Sequence, residues 1–278
     1  MQFDRLLRRS FPSLSRLTYN PLFKFVVDVA DAPLRYAFYE TRKLPANHAR
    51  IRIGVGNRLF NNHIDFIHRA TNFWIDVALN QYITANSTIL EIGVGCGRFA
   101  HILRDFSYYD LSFTGQYIGV DIDEEALAWC RQSFDKRFRF HLSTDPSKSY
   151  HRETQRAEFY KIPEPDNSVD FVFSGSLFSH LLEREARNYL TESFRLLRPG
   201  GFASHSFFCM DQPPSTIGSR HTFSHKMGNA YVESLQQPEA AVAYSGAFMI
   251  DLAKEIGFTS AKIRSHGPQP LLVAQKGS

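Results

Sequence analysis

Cysteine is scarce in this sequence, and long apolar runs are absent. Three cysteines stand among 278 residues, at Cys96, Cys130 and Cys209, and their odd number and wide spacing exclude a disulfide framework and a Cys-x-x-Cys metal site. No apolar stretch approaches the roughly 20 residues that a membrane-spanning helix needs. Because repeats and low-complexity tracts are also lacking, we expect a globular protein of a reducing cytoplasm, with no metal site.

The net charge of +4 is unevenly distributed. Residues 1–50 hold nine bases against four acids, so the rest of the chain is close to neutral. The bases are Arg5, Arg8, Arg9, Arg16, Lys24, Arg35, Arg42, Lys43 and Arg50. Nucleic-acid binding usually needs a broad basic face beside the chemistry, so we expect no nucleic-acid partner. The basic segment could instead make peripheral contact with an anionic membrane, cap an acceptor pocket or mediate dimerisation.

Residues 1–80 show helical patterns and are predicted to form an extension or cap on a domain spanning residues 81–278. Apolar residues at the start have the spacing of an amphipathic helix, at Phe3, Leu6, Leu7 and Phe11. Prolines are expected to divide the region into short pieces, at Pro12, Pro21, Pro33 and Pro45. A longer helix is predicted from His63 to Ile83, with core contacts at Ile64, Ile67, Phe73, Trp74 and Val77.

From Ser87 onward, strand patterns alternate with helical patterns. The strand patterns are "TILEIGV", "GQYIGVDI", "RFRFHL", "SVDFVFS" and "FASHSFF", and a hairpin pattern closes the chain. This alternation predicts an α/β fold with a mostly parallel sheet covered on both faces. An insertion at about residues 209–245 is rich in Pro, Gly, Ser and His, and we expect it to form an acceptor-binding lid.

Three glycines occupy alternate positions directly after the first strand pattern, at Gly93, Gly95 and Gly97. A strand that enters a helix through glycines lets the backbone approach a ligand closely. A dinucleotide-binding G-x-G-x-x-G motif would need its third glycine at Arg98. The sequence therefore favours S-adenosylmethionine (SAM) as the ligand and leaves a nicotinamide cofactor as the alternative.

An acidic residue ends the second strand pattern. Asp121 follows Gly97 by 24 residues, close to the spacing of about 20 at which a carboxylate binds ribose hydroxyls after a glycine turn. Asp123 is instead predicted to cap the next helix.

The glycine stretch resembles the first motif of class I SAM-dependent methyltransferases, which has the form acidic–x–G–x–G–x–G. Glu91, Gly93, Gly95, Cys96 and Gly97 match it position for position. "IPEPDNSVDFVFSGSLFSHLL" and "ESFRLLRPGGF" resemble the fourth-strand and fifth-strand motifs of the same superfamily, so the resemblance covers residues 87–208. The chain also looks similar to bacterial members found beside glycan-building genes.

The resemblance implies a fold, a cofactor and a set of contacts. The fold would be a seven-stranded, mostly parallel, doubly wound Rossmann-like sheet with an antiparallel C-terminal hairpin. The cofactor would be SAM, and its methyl group would move by in-line displacement. The implied cofactor-binding residues are Glu91, Gly93, Gly95, Cys96, Gly97, Asp121, Ile122, Asp145 and Ser174.

The segment after the fourth strand pattern bears on the acceptor. It reads Ser174-Gly175-Ser176-Leu177 and lacks the Asn/Asp-Pro-Pro-aromatic signature of enzymes that methylate base amines. His180 is the first candidate for a catalytic base that deprotonates an oxygen acceptor, with a packing or capping role as the alternative. His205, His221 and His225 are further candidates. We expect a small-molecule, sugar or lipid-linked glycan acceptor, and a non-catalytic SAM-binding partner protein is the other interpretation.

Overall fold

A computed structural model describes residues 17–53, 59, 62–144, 159–211 and 221–278. Its helices are α1 Pro21–Ala37, α2 Tyr39–Arg42, α3 Asn47–Arg52, α4 Asn62–Leu79, α5 Arg98–Leu103, α6 Glu124–Ser133, α7 Glu183–Leu196 and α8 Gly246–Ile256. Its strands are β1 Thr88–Ile92, β2 Ser107–Tyr108, β3 Leu111–Ser112, β4 Gln116–Asp121, β5 Phe138–Leu142, β6 Val169–Ser174, β7 Leu197–Ser206, β8 Phe208–Cys209, β9 His225–Met227, β10 Ala230–Val232, β11 Val242–Tyr244, β12 Ser260–Arg264 and β13 Leu271–Gln275. None of these helices is long and apolar enough to cross a membrane.

The chain forms two compact units. The first contains residues 1–80, 95–112 and 123–135, and the second contains residues 81–94, 113–122 and 136–278. One boundary therefore follows Asn80. The segments that begin at Gly95 and Asp123 group with the N-terminal helices.

The second unit is built on a seven-stranded sheet with the order β12-β13-β7-β6-β1-β4-β5. The five strands from β7 to β5 in this order run parallel, whereas β13 pairs antiparallel with both β7 and β12. This confirms the predicted α/β fold, with its mostly parallel sheet and antiparallel C-terminal hairpin. The chain order reverses at β1, which lies between β4 and β6. Ligands of open α/β sheets bind at such a switch point, outside the carboxyl ends of the strands.

A second sheet in this unit has four short strands in the order β8-β11-β10-β9. Apart from Phe208, this sheet is formed by residues of the insertion predicted as a lid, whose described part also contains a 3₁₀ turn at Pro238–Ala240. Its small apolar cluster contains Phe223, Ala241 and Ala243, with Phe208 and Tyr231 packed against it.

The helices of the first unit are joined by a buried polar network. Arg50, which is 3% exposed, donates from Nη2 to Asp31 at 2.6 Å and from Nε to Asn62 Oδ1 at 2.8 Å. Asn62 Nδ2 in turn donates to Asn47 Oδ1 at 2.8 Å. Buried charges and amides persist when their partners satisfy them, and removing one partner is strongly destabilising. The network therefore fixes α3 against α1 and α4.

Two expectations for the N-terminal region are wrong. Pro33 does not end a helix but lies inside α1. The hydrogen bond that proline removes would have reached the Val29 carbonyl, and both residues are exposed, so water can satisfy that carbonyl. On α4, Ile64 is 51% exposed, and Phe66 and Ala70 are buried instead. Phe73 and Trp74 are buried as predicted. The apolar stripe is therefore rotated from the predicted one.

Candidate cofactor-binding and catalytic site

Backbone conformation explains the three alternating glycines. Gly93, Gly95 and Gly97 have φ values of +82°, +52° and +77°, in the left-handed region that costs other residues roughly 1–2 kcal/mol. Gly97 also caps the N-terminus of α5. The turn therefore needs glycine at each position, independently of any ligand.

In the second unit, the turn is tied to the end of β4. The amides of Gly93 and Val94 donate to the Val120 carbonyl at 2.8 and 3.1 Å. A Cβ at Gly119 would stand 3.0 Å from the Val94 side chain and 2.8 Å from Phe140. The absence of a side chain at Gly119 lets the turn lie this close to β4, directly before Asp121.

Two carboxylates belong to the carboxyl ends of these neighbouring strands. Glu91 is 1% exposed in β1 and accepts a hydrogen bond from the Tyr117 hydroxyl, which explains how an acid is tolerated within an apolar run. Asp121 is partly buried at the end of β4, and its carbonyl accepts from the Ser143 amide at 2.7 Å. Ile122 follows it and is partly buried. Asp145 lies outside the described residues.

In the first unit, the turn packs against helix side chains. A Cβ at Gly95 would stand 2.4 Å from Ile53 Cγ2, and the Cys130 thiol donates to the Gly95 carbonyl at 3.7 Å. Cys96 is fully buried in an apolar cluster with Leu44 and Phe66. Burial raises the pKa of the Cys96 thiol to about 12. Only its backbone is therefore available to a ligand.

Asp123 caps α6, as predicted, by accepting from the amides of Glu125 and Ala126. Its second oxygen accepts from Arg52 Nη1 and from the Tyr19 hydroxyl, both at 3.1 Å. The Arg52 guanidinium stacks on the Tyr19 ring at 3.8 Å. Sequence reasoning missed Arg52 and Tyr19, since they precede Asp123 by 71 and 104 residues and no local pattern connects them.

A buried chain of hydrogen bonds fixes the hydroxyl of Ser174 at the end of β6. His205, fully buried in β7, contacts Ser174 Oγ through Nδ1 at 2.9 Å and Ser193 Oγ through Nε2 at 3.1 Å. Ser193 donates its only proton to the Tyr189 carbonyl, so His205 Nε2 must donate to Ser193. Desolvation lowers the pKa of His205 to about 3, and the ring is neutral. Nδ1 therefore accepts the proton of Ser174, which is 2% exposed, and the Ser174 oxygen can only accept any further hydrogen bond.

His180 ends the 3₁₀ turn Phe178–His180, which begins four residues after the end of β6. Its Nδ1 donates to the Glu239 carbonyl, in the insertion, at 2.9 Å. This bond leaves Nε2 as the unprotonated nitrogen of the neutral ring. Desolvation by surrounding atoms lowers the pKa of His180, although the residue retains exposed surface. Backbone hydrogen bonds with Glu239 and Ala240 raise the pKa, but the desolvation is larger.

The other candidate histidines are placed differently. His205 uses both ring nitrogens as described above, which leaves none to act as a base. His221 packs against Phe208 and Phe223 with ring centroids 5.3 Å apart. His225 lies on the exposed strand β9. Within the described ranges, no group of three or more His, Cys, Asp or Glu side chains could hold a metal ion.

The open α/β sheet of the second unit has its switch point at β1, with Gly93 directly after that strand and acids near the ends of β1 and β4. This arrangement is typical of nucleoside-binding domains. Residues 90–204 match the family model described as a methyltransferase domain. This part of the chain is therefore similar to SAM-dependent methyltransferase domains. The match supports this interpretation over a nicotinamide-dependent oxidoreductase.

Curated relatives are similar over part of their length. A probable S-adenosylmethionine-dependent methyltransferase from Mycolicibacterium smegmatis is 27% identical over 117 residues, which are 42% of this chain and 36% of the relative. The mRNA cap guanine-N(7) methyltransferase 1 of Arabidopsis thaliana is 28% identical over 142 residues, 47% of this chain and 35% of that protein. The chain thus spans about a third of the length of the curated relatives it matches.

Solved structures share the fold. A putative methyltransferase in complex with the Haloferax volcanii Trm112 methyltransferase activator has a TM-score of 0.51 at 16% identity, over 76% of this chain and 91% of that one. The apo form of the S-adenosylmethionine-dependent methyltransferase SibL has a TM-score of 0.50 at 15% identity, over 82% of this chain and 61% of that one.

Proposed function

We propose that this protein transfers a methyl group from SAM to an oxygen atom of a small-molecule, sugar or lipid-linked glycan acceptor. The observation that carries the proposal is the pair of carboxylates, Glu91 and Asp121, near the ends of adjacent parallel strands, with the left-handed Gly93 directly after β1. Carboxylates suit a ligand rich in hydroxyl and ammonium donors, and they repel a pyrophosphate.

The described residues fit this cofactor. Asp121, partly buried, would accept hydrogen bonds from two ribose hydroxyls. Glu91, held by Tyr117, and the acceptor-only oxygen of Ser174 would accept from the amino end of the molecule. The backbone at Gly93, Gly95, Cys96 and Gly97, with Ile122, would line the rest of the binding surface. When bound, SAM supplies a methyl carbon that its sulfonium sulfur activates toward displacement.

His180 is proposed as the general base for the acceptor. Its Nε2 lone pair is available because the Glu239 carbonyl holds the proton on Nδ1. The lowered pKa keeps the ring neutral near pH 7, so it can take the proton of a hydroxyl group during transfer. A positioned base of this kind contributes roughly 10²–10⁴-fold to a rate.

The insertion supports an acceptor close to His180. It supplies the Glu239 carbonyl that orients the ring, and part of it forms the small sheet with β8. A segment that orients the base can also contact the molecule that the base deprotonates. We therefore propose that residues 209–245, as expected from their composition, contribute to acceptor binding.

Calorimetry with S-adenosylhomocysteine and with NADH tests the cofactor assignment. We expect heat with the first ligand only, and binding of NADH alone would support the oxidoreductase instead. Asp121→Ala should weaken binding at least tenfold, because charge-assisted hydrogen bonds contribute about 1.5–3 kcal/mol each. Asp251→Ala, at an exposed position of α8, is the matched control and should bind normally.

Mass spectrometry of extracts incubated with methyl-labelled SAM then identifies the acceptor. A labelled hydroxylated metabolite or glycan supports the proposal. Label found only on nucleic acid would overturn the acceptor class, and SAM binding without any labelled product would favour a non-catalytic partner protein.

A further inference from the structure

Helix α1 exposes its apolar face. Within this 17-residue helix only Val27 and Asp31 are buried. Six exposed apolar residues, here called the outer stripe, lie on one side of this helix, and Leu34 is exposed outside the stripe. The outer stripe consists of Leu22, Phe25, Val26, Val29, Pro33 and Tyr36. Their spacing of three or four residues places them on one continuous side of the helix. Leu22 is 71% exposed and Phe25 is 66% exposed, which is unusual for large apolar side chains grouped on one face.

The polar residues of the same helix face the protein. Asp31 is 2% exposed and bonded to Arg50. Asp28 accepts from the His48 amide at 3.0 Å and contacts the His48 ring at 2.7 Å. Lys24 pairs with Glu125 at 2.6 Å. These contacts fix the rotation of α1, so the outer stripe cannot turn inward without breaking a buried ion pair.

Basic residues flank the outer stripe in the sequence. Residues 1–16 contain four arginines and one acid. After the stripe, Arg42 is exposed and donates from Nε to the Tyr36 carbonyl. Its guanidinium has no acidic partner among the described residues. The exposed apolar face therefore lies between basic residues in the sequence.

We propose that the outer stripe docks on an anionic membrane surface. An interfacial helix buries its apolar face among acyl chains and places basic residues among anionic headgroups. A two-fold contact with a second copy would bring like-charged flanks together, so charge favours lipid over self-association. This inference concerns the first unit and does not depend on the methyl-transfer proposal.

Flotation of the full chain with vesicles tests the docking. Phosphatidylcholine vesicles are compared with vesicles that also contain phosphatidylglycerol, at low and high salt. We expect binding to the anionic vesicles, weakened by salt. The Leu22→Ser/Phe25→Ser variant should bind at least about tenfold more weakly, because each side chain loses its apolar burial. Val26→Ser/Val29→Ser is a second, independent variant of the same face.

Leu79→Ser/Leu235→Ser is the matched control, because both leucines are at least 60% exposed but lie outside α1. It should bind vesicles like the unmodified chain, and circular dichroism should show every variant folded. The proposal is overturned if neither vesicle is bound, or if both stripe variants bind as well as the control. It is also overturned if sedimentation shows a dimer that the stripe variants dissociate, since a second copy would then cover the face.

Discussion

Replacing Gly95 with alanine isolates two physical demands on the glycine turn. The residue has φ +52°, so any side chain is strained there. The new Cβ would also stand 2.4 Å from Ile53 Cγ2, whereas the next nearest atom, Ile53 Cβ, is at 3.6 Å. Isoleucine is branched at Cβ and stiff at χ1, so this methyl group has little freedom to withdraw.

The two costs can be separated. Left-handed strain contributes roughly 1–2 kcal/mol, and overpacking typically contributes 1–3 kcal/mol. We therefore expect Gly95→Ala to lower the free energy of unfolding by about 2–5 kcal/mol. Ile53→Ala removes Cγ2 and leaves an ordinary contact at 3.6 Å. In that background the cost should fall to the strain alone, which gives a coupling of about 1–3 kcal/mol.

Chemical denaturation of the unmodified protein, Gly95→Ala, Ile53→Ala and the double variant measures this coupling as a double-mutant cycle. Gly267→Ala is the control for strain, because Gly267 has φ +57° and a Cβ added there would meet no atom within 4 Å. It should cost about as much as Gly95→Ala in the Ile53→Ala background. If Gly95→Ala costs the same with and without the Ile53 side chain, the close contact between them does not exist.

The hydrogen bonds and ion pairs described above support three further predictions. His180→Ala should lower turnover about 10²–10⁴-fold and remove the loss of activity that protonation of the unmodified ring causes at acidic pH; near-normal turnover at every pH would make His180 structural. Ser174→Ala and His205→Phe should weaken S-adenosylhomocysteine binding, and their combination should be no worse than the stronger single change; additive losses in calorimetry would refute the hydrogen-bonded chain. Desolvation raises the pKa of Glu125, but hydrogen bonds from Lys24 and Arg52 lower it to about 2. The ionised carboxylate therefore stabilises the protein at pH values above its ordinary pKa of 4.5, and this contribution is lost as pH falls to about 2. The difference in free energy of unfolding between the unmodified protein and Glu125→Gln should narrow over this range, and a constant difference would contradict the lowered pKa.

Local patterns were sufficient for the part of the site that is continuous in sequence. The turn at Gly93–Gly97 and the cap at Asp123 depend on backbone geometry within a few residues, so residue type and spacing define them. The position at which β4 ends, Asp121, could be predicted because an apolar run is followed there by an acidic residue. Each of these predictions uses a physical requirement that one short segment satisfies alone.

Contacts between distant segments could not be predicted in this way. Ser174 and His205 are 31 residues apart and meet because β6 and β7 pair in a register that places them side by side. The sequence marks His205 as a candidate base, whereas Ser174 on β6 and Ser193 on α7 engage both of its ring nitrogens. Cys96 matches a motif, but only tertiary packing shows that its thiol points into an apolar cluster.

Helix α1 shows why periodicity alone does not determine which face of a helix is buried. Its apolar residues recur at helical spacing, and the usual inference would bury them. Asp31 and Asp28 lie on the opposite face, however, and they pair with Arg50 and His48 on α3. Separating Asp31 from Arg50 would leave one buried charge without its partner, and the loss of one partner of a buried pair costs about 3–5 kcal/mol of stability. Turning the outer stripe inward against α3 would break both pairs, so the apolar surface of the stripe must be covered by a different surface.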